Sequence, residues 1–153
     1  MKKIIVLFSL GLFCLSTIAR DLGSTWIVTN EGKMDCKRIN LGYKKARVVL
    51  ENGQKTAISY NAISSYSQNG KIFNKLHLYI DGKPANKMTY MELIKTHGDL
   101  SLYKLGFLDL GSSNLRDITY RYFLYNGGKL HLALNEKTLQ NVCLHFGLNY
   151  DEL

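Results

Sequence analysis

From Thr25 onward the chain alternates between short runs rich in Val, Ile, Leu, Tyr, Phe and Thr and turns built on glycine. The turns, in order, are Asn30-Glu31-Gly32, Asn52-Gly53, Asn69-Gly70, Asp81-Gly82, His97-Gly98-Asp99 and Asn126-Gly127-Gly128. Asn-Gly and Asp-Gly accept the positive φ angles that tight hairpins demand. The runs between them predict strands at Thr25–Thr29, Met34–Ile39, Arg47–Leu50, Lys55–Ser59, Ser64–Ser67, Lys71–Phe73, Lys75–Ile80, Met88–Lys95, Leu100–Phe107, Thr119–Tyr125 and Lys129–Leu134. Hairpins joined in succession make an antiparallel meander, and one this long must curl. The predicted fold is therefore mainly β, an antiparallel meander closing into a barrel or two-layer roll, with one short C-terminal α-helix.

The helix is read from Asn135 to Gly147 (NEKTLQNVCLHFG). Asn135 suits the N-cap, and Glu136 suits the positive N-terminal end of the helix dipole. Leu139, Val142, Cys143 and Phe146 fall at i, i+3, i+4 and i+7, on one face. Gly147 can end the helix in the left-handed conformation. The longest irregular stretch, Leu108 to Ile118, is the natural place for a functional loop.

Two strands carry the same phrase, KLHLYI at Lys75–Ile80 and KLHLAL at Lys129–Leu134. Because strand side chains alternate, Leu76, Leu78 and Ile80 should face one way and His77 the other. Likewise Leu130, Leu132 and Leu134 should face in, and His131 and Ala133 out. Each histidine follows a lysine on the polar face, which disfavours a metal. A zinc site needs three or four ligands with supporting partners, so both histidines read as surface residues.

The first residues change where the protein is placed. MKKIIVLFSLGLFCLSTIA has a Lys2-Lys3 start, an apolar run from Ile4 to Leu15 and small residues at Thr17 and Ala19. This is the pattern of a secretory signal peptide, so the expected domains are a signal peptide at 1–19 and a single β-rich domain at 20–153. The apolar run is shorter than the roughly 20 residues of a membrane span. Cys14 follows the bulky Phe13, unlike a lipoprotein signal. No other segment is apolar enough to span a bilayer, so no transmembrane segment is expected in the mature chain. The expected location is exported: periplasmic, outer-envelope or secreted.

Removing 19 of 153 residues leaves 134, enough for a core without staples. Losing Lys2 and Lys3 from 20 basic residues leaves 18 against 12 acidic, a net +6 in place of +8. The basic residues are dispersed, with short clusters at Lys37-Arg38 and Lys44-Lys45-Arg47. This reads as a solvated surface with a weak pull toward anionic lipid or polysaccharide. No nucleic-acid motif is present, and nucleic acid is not an expected partner. Cys36 and Cys143 remain after export; an oxidising compartment permits a disulfide, and buried free thiols are the other reading.

The catalytic scan finds no H-E-x-x-H, C-x-x-C or G-x-S-x-G, and no Gly-Lys pair is followed by Ser or Thr. Cys143 and His145, two apart on a helix, point in different directions. Asp99, Asp109 and Asp117 read as turn chemistry. No catalytic residue, metal or cofactor is expected. The Tyr-rich strand offers a contact surface at Tyr120, Arg121, Tyr122 and Tyr125, because exposed aromatics mark recognition surfaces. The structural alternative is a core strand with amphipathic tyrosines.

Four phrases carry a resemblance: WIVTNEGK from Trp26, NAISSYSQNGKIF from Asn61, MELIKTHGDLSLYK from Met91 and YFLYNGGKLHLAL from Tyr122. They resemble a group of uncharacterised short exported β-rich proteins of Gram-negative gut-type bacteria. The resemblance spans most of the mature chain and implies fold and export, with no assigned function and no catalytic residue. The expected function is an exported, non-catalytic binding or envelope-associated module whose partner is a protein, glycan or envelope component. Two alternatives stand beside it, a β-barrel carrier of a small apolar ligand and a hydrolase with an atypical site.

Overall fold

The computed structural model describes residues 23–42, 44–80, 83–108 and 118–153. The signal-peptide segment, the Asp81-Gly82 turn and nearly all of the loop between Leu108 and Ile118 lie outside the described residues.

Ten strands form one antiparallel sheet: β1 (Trp26–Thr29), β2 (Gly32–Leu41), β3 (Lys45–Leu50), β4 (Lys55–Ser59), β5 (Ile63–Gln68), β6 (Lys71–Ile80), β7 (Lys83–His97), β8 (Leu100–Leu108), β9 (Ile118–Asn126) and β10 (Lys129–Leu134). One helix follows, α1 (Glu136–Phe146). The glycine turns among the described residues fall where the pattern put them. Asn69 and Gly70 both take positive φ, 55° and 75°, as do Gly127 and Gly128, 53° and 80°. The predicted runs at Lys71–Phe73 and Lys75–Ile80 fuse into β6, because Asn74 does not break the strand. Its side-chain amide donates to the Tyr103 hydroxyl at 2.9 Å.

The strand order is β10-β9-β8-β7-β6-β5-β1-β2-β3-β4. The meander is interrupted once. A 3-10 turn at Tyr60–Ala62 leads from β4 into β5, which pairs with β1. That half of the molecule has its own core of Ile27, Cys36, Ile39, Ala46, Val48, Ile63 and Tyr66. Tyr66 stacks on Phe73 of β6 with ring centroids 4.7 Å apart, tying this core to the next strands.

The other half, β6–β10, buries both of its faces. On one, α1 lays Leu139, Cys143 and Phe146 against Leu102 and Leu124. The helix begins with Asn135 and Thr138 bonding each other's backbone in a capping box, and ends with Gly147 at φ 61°. On the other face, Met91, Tyr103, Phe123 and Tyr125 pack with Leu76, Leu78 and Tyr79 of β6. Contact between β6 and β9, three strands apart in the order, requires a bend. It arises because β7 pairs with β8 only from Glu92 to His97, so the remainder of the β6–β7 arm is free to fold over the β8–β10 face. The Tyr125 hydroxyl donates to the His77 carbonyl across this fold at 2.8 Å.

Of the expected barrel or two-layer roll with a C-terminal helix, the antiparallel meander and the helix are present, and the sheet is not closed into a barrel. The sheet is open, with β10 at one end and β4 at the other. The physical reason is that helix and bent arm already cover the apolar faces of β8–β10, so no closing pair is needed to bury them. No helix among the described residues is long and apolar enough to cross a membrane.

Candidate functional site

The Tyr-rich strand β9 divides halfway along. Ile118 to Arg121 are exposed, Tyr122 is half-buried, and Phe123, Leu124 and Tyr125 are buried. Tyr125 is 1 % exposed, so it belongs to the core and not to a contact surface. Burial, with Tyr79 and Tyr103 close by, pushes its phenol up to about 12. Tyr122 faces α1 and its hydroxyl donates to the Leu153 carbonyl at 3.1 Å. Burial is the main cause that raises its pKa. Tyr120 stays half exposed for a local reason. Its ring lies across Gly106 on β8, where a Cβ would stand 3.3 Å from it, and under the Lys104 ammonium at 5.0 Å. Arg121 alternates to the opposite face and lays its guanidinium over Phe107, 4.9 Å from the ring centroid.

Arg121 lines a groove of about 750 Å³, which runs between the end of β6 (Leu78, Tyr79) and β10 (Leu130 to Leu134) over Phe107 and Phe123. The geometry of β10 there departs from simple alternation. Its register on β9 shifts between Leu130 and Leu132, so Leu130 opposes Tyr125 and Leu132 opposes Leu124. A bulge at His131 therefore sends Leu130 to the groove face and Leu132 and Leu134 to the helix face. The expectation that all three leucines share one face is corrected: Leu132 ends up 43 % exposed, and Ala133 joins Phe123 on the groove side. The β6–β7 ladder also shifts between His77 and Tyr79, but there the extra residues lie in β7, since His77 opposes Met88 and Tyr79 opposes Pro84; Leu78 and Tyr79 both pack against the core.

His77 and His131 are both exposed. His97 and His145 meet instead, with ring centroids 4.8 Å apart, and His97 also touches Phe146. Spacing alone could not show this, because it depends on how α1 docks on the end of β7. Among the described residues no group of three or more His, Cys, Asp or Glu could hold a metal. Cys36 and Cys143 lie in different cores as buried free thiols, and burial raises both. Asp109 and Asp117 lie outside the described residues.

A second surface forms on β2, β3 and β4. Ala46 and Val48 point into the core, so Lys45 and Arg47 point out. Arg47 pairs with Asn40 on one side and Ala57 on the other, and Val49 pairs with Arg38 and Lys55. Two shallow hollows on this face are lined between them by Arg38, Lys44, Lys45, Arg47 and Lys55, all exposed, and by no carboxylate. The dispersed basic residues are thus partly gathered. The alternation of Lys45 and Arg47 with Ala46 and Val48 was the available signal; its meaning required the pairing of three strands.

No protein family model, no curated protein and no solved structure matches the chain.

Proposed function

We propose that the protein is an exported, non-catalytic binding module that seats an extended, largely apolar segment of a partner protein in the groove beside β10. The observation that carries this reading is the combination of a free sheet edge and an apolar groove next to it. Among the described residues β10 is paired on one side only, by β9. β10 begins with Lys129 and carries a bulge at His131, but from Leu130 to Leu134 it has no Asp, Glu, Lys, Arg or Pro to deter a partner strand. An extended chain added to β10 would bond through its backbone, and alternate side chains would drop toward Leu78, Tyr79 and Phe123. Arg121 at the groove favours a carboxylate on that chain. A carrier of a small apolar ligand would need an enclosed interior, and the groove is open. Export rests on the signal-peptide pattern and on the resemblance to short exported β-rich proteins.

The test uses a photo-crosslinking residue at Ala133, in the groove, and at Gln140, on the exposed side of α1. A discrete crosslinked partner is expected from position 133 and not from 140 in the exported protein, whose mass should start at Arg20. Equal crosslinking from both positions, or none from 133, refutes the groove as the seat.

A further inference from the structure

We infer that the face built from β2, β3 and β4 docks the protein on a phosphate-bearing lipid surface. The sequence places Arg38, Lys44-Lys45, Arg47 and Lys55 in separate segments. The fold brings them onto one side of three neighbouring strands. Strands lie about 4.8 Å apart and alternate residues about 6.6–6.8 Å apart, so the cations form a two-dimensional array and not a line. Such an array matches a plane of headgroups better than it matches one extended polyanionic chain. Arg47 sits at its centre between Asn40 and Ala57, whose short side chains leave the guanidinium accessible. Neither hollow is lined by Asp or Glu, and neither of the ion pairs formed among the described residues, Lys33–Asp35 and Lys71–Glu92, uses any of the five cations. The half-exposed Val49 adds an aliphatic contact among them. Arginine fits phosphate as a fork and lysine as a point charge. The groove beside β10 lies on other strands, so this inference does not depend on what the groove binds.

The experiment is co-sedimentation of the mature protein with vesicles. One set is phosphatidylcholine alone and the other contains about one third phosphatidylglycerol. Binding is expected only to the anionic vesicles and should weaken as salt rises. Lys45→Gln with Arg47→Gln should weaken it about twenty-five-fold, at roughly fivefold per cation near the surface. Both side chains point outward, so the fold should survive, and circular dichroism checks that. Lys95→Gln with Lys137→Gln removes the same charge elsewhere and should weaken it by less than about twofold. An equal loss from both pairs would assign the effect to net charge and overturn the inference. So would binding to a soluble anionic polysaccharide with none to the vesicles, or no binding to either set.

Discussion

Replacing Tyr125 by Phe isolates the contact that closes the β6–β7 arm over the rest of the sheet. The side chain is 1 % exposed, and its hydroxyl donates to the His77 carbonyl at 2.8 Å and touches the Met91 sulfur at 3.7 Å. The ring is unchanged in Phe, so packing against Tyr103 and Tyr79 is kept. What is lost is one hydrogen bond, worth about 0.5–1.5 kcal/mol net. The carbonyl it leaves behind belongs to His77, whose side chain is exposed, so water can reach part of it. The total should be about 1–2 kcal/mol. In a domain of this size that lowers the melting temperature by roughly 3–6 °C. Denaturant titration measures the energy, and hydrogen exchange locates it. Amides of Leu76 to Tyr79 should lose protection, while those of β8 and β9 should not. Tyr122→Phe is the control. It removes a 3.1 Å bond to the Leu153 oxygen, which the Lys104 ammonium also reaches at 3.1 Å, so that oxygen keeps a donor and the cost should stay under about 0.5 kcal/mol. If Tyr125→Phe costs no more than Tyr122→Phe, or if protection falls evenly through the sheet, the bond does not hold the arm.

Phe146→Ala should cost about 3–5 kcal/mol, because a ring 3 % exposed leaves a cavity between α1 and the sheet; a far-ultraviolet loss of helix before loss of strand would show α1 undocking first. Alkaline pH should destabilise the protein through its buried phenols. Tyr90 and Tyr125 are pushed up to about 12 from 10, so the fold prefers the neutral form. Their contribution is complete below about pH 10 and is lost as pH rises to about 12, with Tyr125 worth on the order of 2–3 kcal/mol across that window. Denaturation midpoints from pH 9 to 12 measure this, and Tyr125→Phe should flatten the decline; an unchanged slope would count against burial as the cause.

Local chemistry was legible where one residue type meets one backbone requirement. Asn69-Gly70 could be read as a tight turn, and Asn135 and Gly147 as the two ends of a helix, because each satisfies a need within a few residues of itself. What could not be read depends on pairing. β5 leaves β4 for β1, and nothing in ISSYSQ names that partner. Barrel closure was expected from strand count, yet it depends on what already covers each face. Tyr120 and Tyr125 are the same residue type on one strand, but one rests on Gly106 in solvent and the other lies under the folded arm. Of the contact surface proposed on β9, Arg121 lines the groove and Tyr125 does not reach solvent. Phe107 and Ala133 were missed because an exposed alanine and a lone phenylalanine carry no signal until the bend brings them beside β6.

The repeated Lys-Leu-His-Leu phrase shows how a shared pattern acquires different uses. In both copies the ladder slips at or next to the histidine, but after His77 the extra residues lie in the partner strand β7, whereas around His131 the extra residue lies in β10 itself. A bulge turns two neighbouring residues toward faces that alternation would not give them, and it bends the strand. β6 carries no extra residue: Leu78 and Tyr79 pack half-buried against the core, and the His77 carbonyl accepts from the Tyr125 hydroxyl. In β10 the result is outward: Leu132 is left 43 % exposed and Ala133 faces the groove. The difference lies in what stands next to each strand. β6 pairs with β7 and folds over a face that buries its leucines, whereas among the described residues β10 has β9 on one side and no strand on the other. The same alternation that completes a core in β6 leaves β10 an edge with no charged side chain after Lys129, the feature on which the proposed binding role rests.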